Sequence, residues 1–266
     1  MSKIMNGMSN KEYHASKGLS ASSLGLIKKS ISLLKWSWNL GNKVDEEARN
    51  LVIGSATHAL VLEGREAYEK EFCVAPDFNM RTNQGKVDFK EFKEKNTKSI
   101  LTSVEAEQIE EMAKSVFAHP TASKLLEKGE PEQSFFWTDK ETLEECKIRP
   151  DWLKRQECII VDLKTTKDTF NLARSVYDYG YHRQASWYKK GFEAVTGEKL
   201  QKFIFIFVSK AKSLGRYEVR VLELNEEFME LGKYENGKLL EKYTKAQMLN
   251  DWEEIEVLSP QKWMVD

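Results

Sequence analysis

The run Cys158-Ile159-Ile160-Val161-Asp162-Leu163 is apolar at every position but one, and the exception is an aspartate. A short continuous apolar run rich in β-branched residues reads as a strand buried on both faces. Such a strand demands covering layers above and below it. An acid near its end is held rigidly at the edge of a dry core. Strand periodicity puts Asp162 on the same face as Lys164, two residues on. Upstream lies Arg149-Pro150-Asp151, a second carboxylate at a strand start or turn.

Two carboxylates and one ammonium make a minimal kit for metal-assisted phosphodiester hydrolysis. Mg²⁺ takes hard oxygen ligands and keeps several waters, so Asp151 and Asp162 leave room for water and phosphate. Lys164 would orient the attacking water and offset transition-state charge. Taken alone, Asp162 and Lys164 also match a solvated pair at a strand end. Other segments bear on the choice. Leu51 to Glu63 is largely apolar with small residues that permit close helix packing, and His58 sits inside it as a core residue or a metal ligand. Tyr181 to Tyr188 starts a helix on which Gln184 and Tyr188 share a face. They form either a polar stripe or a pair packed by a metal. Arg81-Thr82-Asn83-Gln84-Gly85-Lys86 is a charged surface turn or a grip on a DNA phosphate. Thr165 and Thr166 could contact phosphates through their hydroxyls. The aromatics Tyr177, Tyr179, Tyr181, Trp187 and Tyr188 are core residues or a stack for a frayed base.

Residues 1–18 are polar and expected to be partly mobile. Helices are expected from Ser20 to about Leu34 and from Glu46 to Glu63. Phe72 to Ala75 is extended, Asp77 to Lys86 is a loop, and Asp88 to Lys95 is a short charged helix. A capping box at Thr102 and Glu105 opens a helix that Pro120 ends. Three antiparallel strands follow, at 133–138, 144–148 and 158–163, the first two joined as a hairpin. Helices over 171–179 and 182–195, strands at 203–208 and 217–222, and a long helix capped by Asn225 complete the chain. This order predicts an α/β fold with a mixed central sheet and helices on both faces.

With 266 residues the chain is expected to form a single domain, 1–266. A net charge of −1 excludes a general basic DNA-coating surface, so affinity for DNA would need a local groove. No apolar run approaches the ~20 residues that span a bilayer, and no signal peptide is evident. Three widely spaced cysteines point to reduced thiols and argue against a four-cysteine iron–sulfur site.

The ordered set Gly54-x-x-x-His58, Arg149-Pro150-Asp151, Val161 to Thr166 and Tyr181-x-x-Gln184-x-x-x-Tyr188 resembles the RecB-like branch of the PD-(D/E)XK nuclease superfamily. More closely it is similar to RecE-type exonucleases. Met8 to His14, Gly18 to Leu24, Val74 to Lys86 and Tyr177 to His182 also fit, so the likeness runs from about Met8 to about Trp263. It implies a restriction-endonuclease-like core with N-terminal helical additions. It implies that His58, Asp151 and Asp162 bind metal with the Leu163 carbonyl, that Lys164 is catalytic, and that Gln184 and Tyr188 form the helix motif behind the active-site strands. The implied cofactor is Mg²⁺, with Mn²⁺ as a substitute. Asp162 stands where many relatives carry Glu, which draws the metal nearer the strand. Glu132 lies where relatives often have an acid. The implied activity is 5′→3′ digestion of double-stranded DNA ends, leaving 3′ overhangs for annealing by a RecT-type partner. A homo-tetrameric ring, a bacterial cytoplasm and a phage or prophage origin go with it. Two other readings stay open: a RecB-like end trimmer of CRISPR spacer acquisition, disfavoured by the missing cysteine cluster, and an inactive DNA-binding scaffold, disfavoured by the intact acids and lysine.

Overall fold

A computed structural model describes residues 2–39, 49–253, 259, 260 and 264. The N-terminal part comprises β1 (Lys3–Met5), α1 (Asn10–Ala15), α2 (Ala21–Lys29), α3 (Ile31–Asn39), α4 (Arg49–His58), α5 (Arg65–Glu71) and β2 (Phe72–Val74). Next come α6 (Asn83–Lys95), β3 (Ser99–Leu101), α7 (Ser103–Ala118), α8 (Pro120–Leu125) and β4 (Glu130–Pro131). The site-bearing part holds β5 (Ser134–Thr138), β6 (Glu145–Ile148), β7 (Trp152–Lys154), β8 (Ile159–Thr166), α9 (Leu172–Asp178) and α10 (Tyr181–Thr196). The chain then runs through β9 (Lys202–Ser213), β10 (Arg216–Glu223) and α11 (Glu226–Leu249).

The central sheet has five strands in the order β10-β9-β8-β7-β4. It is mixed: β8 and β9 run parallel, and the other pairs are antiparallel. Its two faces build two cores. Phe203, Phe205, Phe207 and Ile160 face α2, α3, α10 and α11, while Val161, Leu163, Ile206 and Val208 face α4 and α7. The apolar runs Ile159–Val161 in β8 and Phe203–Val208 in β9 follow from this double covering. The expected α/β class with helices on both faces is what the chain adopts.

Four local expectations differ. The strands at 133–138 and 144–148 do not join β8: they pair with β1 in a separate three-stranded sheet, β1-β5-β6. The antiparallel neighbour of β8 is β7, three residues that a periodicity reading passes over. Residues 2–18, expected to be polar and partly mobile, contain a strand and a helix that pack on the rest of the chain. Lys3 to Met5 pair with Ser134 to Phe136, and Tyr13 is buried against Phe136. The single helix from Ser20 becomes two, because Ser30 adopts an extended conformation between α2 and α3. Finally, α6 starts at Asn83 rather than Asp88, since Thr82 caps it through Gly85 N–H at 3.0 Å. The His58 helix is seen from Arg49; its expected start at 46–48 lies outside the described residues.

Candidate active site

Pro150 sets the geometry of the site. It has no N–H for a strand ladder, and regular pairing stops between β6 and β7 over residues 149–151. Trp152 then pairs with Val161, so one further antiparallel step brings Asp151 beside Asp162. Asp151 Oδ2 accepts a hydrogen bond from Leu163 N–H at 2.9 Å. His58 Nδ1, at the end of α4, lies 3.5 Å from the same oxygen. Directly after His58, Ala59–Glu63 widens into a π-turn, a feature frequent near functional sites.

Asp162 is completely buried. Gln184 Nε2 of α10 donates to its Oδ2 at 2.7 Å. Its Oδ1 is ion-paired with the Lys164 ammonium, yet no hydrogen bond of good geometry reaches that oxygen. Tyr188 stands one layer back, donating its hydroxyl to the Arg149 carbonyl at 3.1 Å and hydrogen-bonding with Gln184.

Burial and like charge work against ionisation here. Desolvation, then the Asp151 charge, push Asp162 up to about 6 against the pull of Lys164. Desolvation likewise raises Asp151, opposed by Lys164. Lys164 is opposed by its own desolvation, but the two acids prevail and hold it above the usual lysine range. Desolvation and Lys164 depress His58 to about 4, so at neutral pH it is an uncharged imidazole with a lone pair to offer.

Asp162 is buried behind Asp151 and Gln184, which line a cleft of about 390 Å³. Glu132 and Arg149 stand in its wall, and the two are ion-paired. Glu132 has φ 55°, an uncommon backbone state for a non-glycine residue, and its N–H donates to the Asp151 carbonyl at 3.2 Å. Desolvation, then the Asp151 charge, raise it to about 8 despite Arg149. The sequence reading singled out Glu132 but passed over Arg149 and Tyr13. Arg149 donates to the Ser9 carbonyl at 3.2 Å and lies 5.5 Å over the Tyr13 ring, so the N-terminal segment forms the opposite wall. The capping box of Ser9 and Glu12 is the signal that marks α1.

Thus His58, Asp151, Asp162, Lys164 and Gln184 converge, with Tyr188 in support. The Leu163 carbonyl reaches the His58 imidazole. Other candidates lie elsewhere. Thr165 points to the α4 face, 3.5 Å from where a Gly54 Cβ would stand. Thr166 closes a local turn with Asp168. Arg81, Thr82 and Lys86 are exposed at the start of α6, and among the described residues no hydrogen bond or ion pair links them to either acid. Trp187 is buried on Trp137, centroids 5.3 Å apart, which removes it from any base-stacking surface.

Among the described residues no group of three or more His, Cys, Asp and Glu side chains is arranged to hold a metal ion by itself. The donor set fits a hard cation that retains waters: two adjoining carboxylates, a main-chain carbonyl and one imidazole. Asp162 Oδ1, whose present partner is the Lys164 ammonium, is the oxygen such an ion would take over.

No curated protein matches the sequence. A crystal structure from Eubacterium rectale, named "Putative exonuclease", aligns over 97% of this chain and 96% of its own at 16% identity, with TM-score 0.65. This likeness is one of fold. A phage related exonuclease of Haemophilus somnus 129PT aligns over 88% and 96% at 14% identity, but its TM-score of 0.35 is too low to carry an argument. The family described as a PDDEXK-like domain of unknown function (DUF3799) matches residues 29–255. The chain therefore belongs to this PDDEXK-like family, and its five-stranded mixed sheet flanked by helices is the restriction-endonuclease-like core of that fold.

Proposed function

We propose that the protein is a divalent-metal-dependent nuclease that digests double-stranded DNA from its ends. The observation that carries this reading is the meeting of Asp151, Asp162, Lys164 and Gln184 at the Pro150 break, with Asp151 and Gln184 lining a cleft. Asp151 and Asp162, with the Leu163 carbonyl and His58, would hold Mg²⁺ or Mn²⁺. When bound, such an ion supplies charge neutralisation at the phosphate and a more acidic water.

The chain's own groups do the rest. Lys164 orients the attacking water in line with the scissile phosphorus and offsets negative charge there. Gln184 fixes the rotamer of Asp162, and Tyr188 ties Gln184 to the Arg149 backbone. The finer reading follows the RecE-type resemblance: 5′→3′ polarity, 3′ overhangs for a RecT-type annealing partner, a homo-tetrameric ring and a cytoplasmic, phage-derived setting. Enclosure would keep a chain of net charge −1 on DNA without a strong basic field. Among the described residues no helix is long and apolar enough to cross a membrane.

Linear and nicked circular duplexes, each with and without Mg²⁺, test the proposal. Digestion of the linear form alone, and only with metal, is expected. Equal attack on both forms would exclude end dependence, and metal-independent cleavage would exclude the site assignment.

A further inference from the structure

One part of the cleft is not used by the chemistry above. Tyr179 is 72% exposed although it closes α9 beside the site. Its ring stacks on Tyr181, with centroids 5.7 Å apart and planes 30° apart. Tyr181 is anchored from beneath by Phe205 and Phe207, at 5.7 and 5.8 Å, and the Lys164 ammonium lies 5.3 Å from its ring. An aromatic ladder therefore climbs from the core strand β9, past the catalytic ammonium, to a ring open to solvent. Its spacing depends on Gly180, at φ 70°, where a Cβ would stand 2.1 Å from Arg183 Nη2. That guanidinium and both tyrosines line the cleft that Asp151 also lines.

An exposed ring stacked on a half-buried one that is itself packed on the core strand presents a fixed flat face at the cleft. The occupant must suit a cleft built for a phosphate backbone and offer a flat π-face. We infer that Tyr179, backed by Tyr181, stacks on an unpaired nucleobase of the strand being cut, next to the scissile phosphate. Paired bases present edges to the groove and hide their faces, so the platform selects a frayed or single-stranded end nucleotide. The inference rests on the nuclease reading above, and its test separates the two.

The test uses the full chain and oligonucleotides with 2-aminopurine at the terminal position. Emission is read in chelator, where hydrolysis plays no part, and steady-state digestion is read with Mg²⁺. The wild type should quench the emission. Tyr179→Ala should lose the quenching, bind about 5- to 100-fold more weakly and raise KM with little change in kcat. Tyr179→Phe should behave as the wild type, since the ring and not the hydroxyl acts. An abasic terminal residue should erase the difference between wild type and Tyr179→Ala, an outcome a merely structural role would not give. Because Tyr179 is exposed, its truncation leaves the Tyr181–Phe205–Phe207 packing in place. Absence of quenching by the wild type, or equal discrimination of abasic ends by Tyr179→Ala, overturns the inference. Quenching without any DNA hydrolysis would keep the platform and sink the nuclease reading.

Discussion

Replacing Asp162 by Asn should make the metal-free protein more stable while destroying its activity. The side chain is fully buried beside Asp151, and its folded value of about 6 lies well above its ordinary 3.8. That value already contains the attraction of Lys164. At about 1.4 kcal/mol per pKa unit, ionised Asp162 costs the fold about 3 kcal/mol at neutral pH. The sign follows from the raised pKa. Stability from this group is greatest below the unfolded value and is lost as pH rises through the folded one. Asn keeps an oxygen for Gln184 and removes the charge. Thermal melting in chelator should therefore show a gain of about 5–10 °C at neutral pH, shrinking to about half near pH 5. Addition of Mg²⁺ should raise the wild-type midpoint by mass action and leave Asp162→Asn nearly unmoved. An Asp162→Asn protein that melts at or below the wild type in chelator would refute the electrostatic argument. Full nuclease activity in that variant would refute the site itself.

Other substitutions report on separate parts of the site. His58→Ala should raise the Mg²⁺ concentration for half-maximal digestion by about 10- to 100-fold, read from a metal titration; an unchanged midpoint would remove His58 from the metal's surroundings. Glu132→Gln should flatten the pH profile of stability. Burial holds Glu132 at about 8, so the wild type loses stability as pH climbs from about 4.5 through that value, and chelator melts in which both proteins slope alike would contradict this. Tyr13→Ala should lower stability by about 3–5 kcal/mol in urea unfolding, because a buried ring that packs on Phe136 and lies 4.8 Å from the Lys147 ammonium is lost. A midpoint like that of the wild type would mean that the N-terminal segment is not docked in solution.

Elements with strong local signals were legible in the sequence. The apolar runs of β8 and β9, the Thr102–Glu105 capping box and the Asn225 cap each appear where their chemistry places them. Strand period alone put Asp162 and Lys164 on one face. Short elements held by distant partners were not legible. β7 is three residues that become a strand only because Val161 and Ile160 are beside them, and β1 exists through its pairing with β5. The separation of the β5–β6 hairpin from the central sheet is a tertiary outcome of the same kind. The site divides likewise. Its acids and lysine were visible as motifs, whereas Arg149 acquires its place from Glu132, Ser9 and Tyr13, which approach from remote parts of the chain. Alternation along β8 sets Thr165 on the α4 side, opposite to Asp162 and Lys164.

The position of a bound divalent ion is the most direct test of the site. A crystal soaked in Mn²⁺ and measured for anomalous scattering should show a peak at about 2.0–2.2 Å from carboxylate oxygens of both Asp151 and Asp162, with Lys164 displaced from direct contact but still adjacent. A peak bound by other residues, with Lys164 still clasping Asp162, would contradict it.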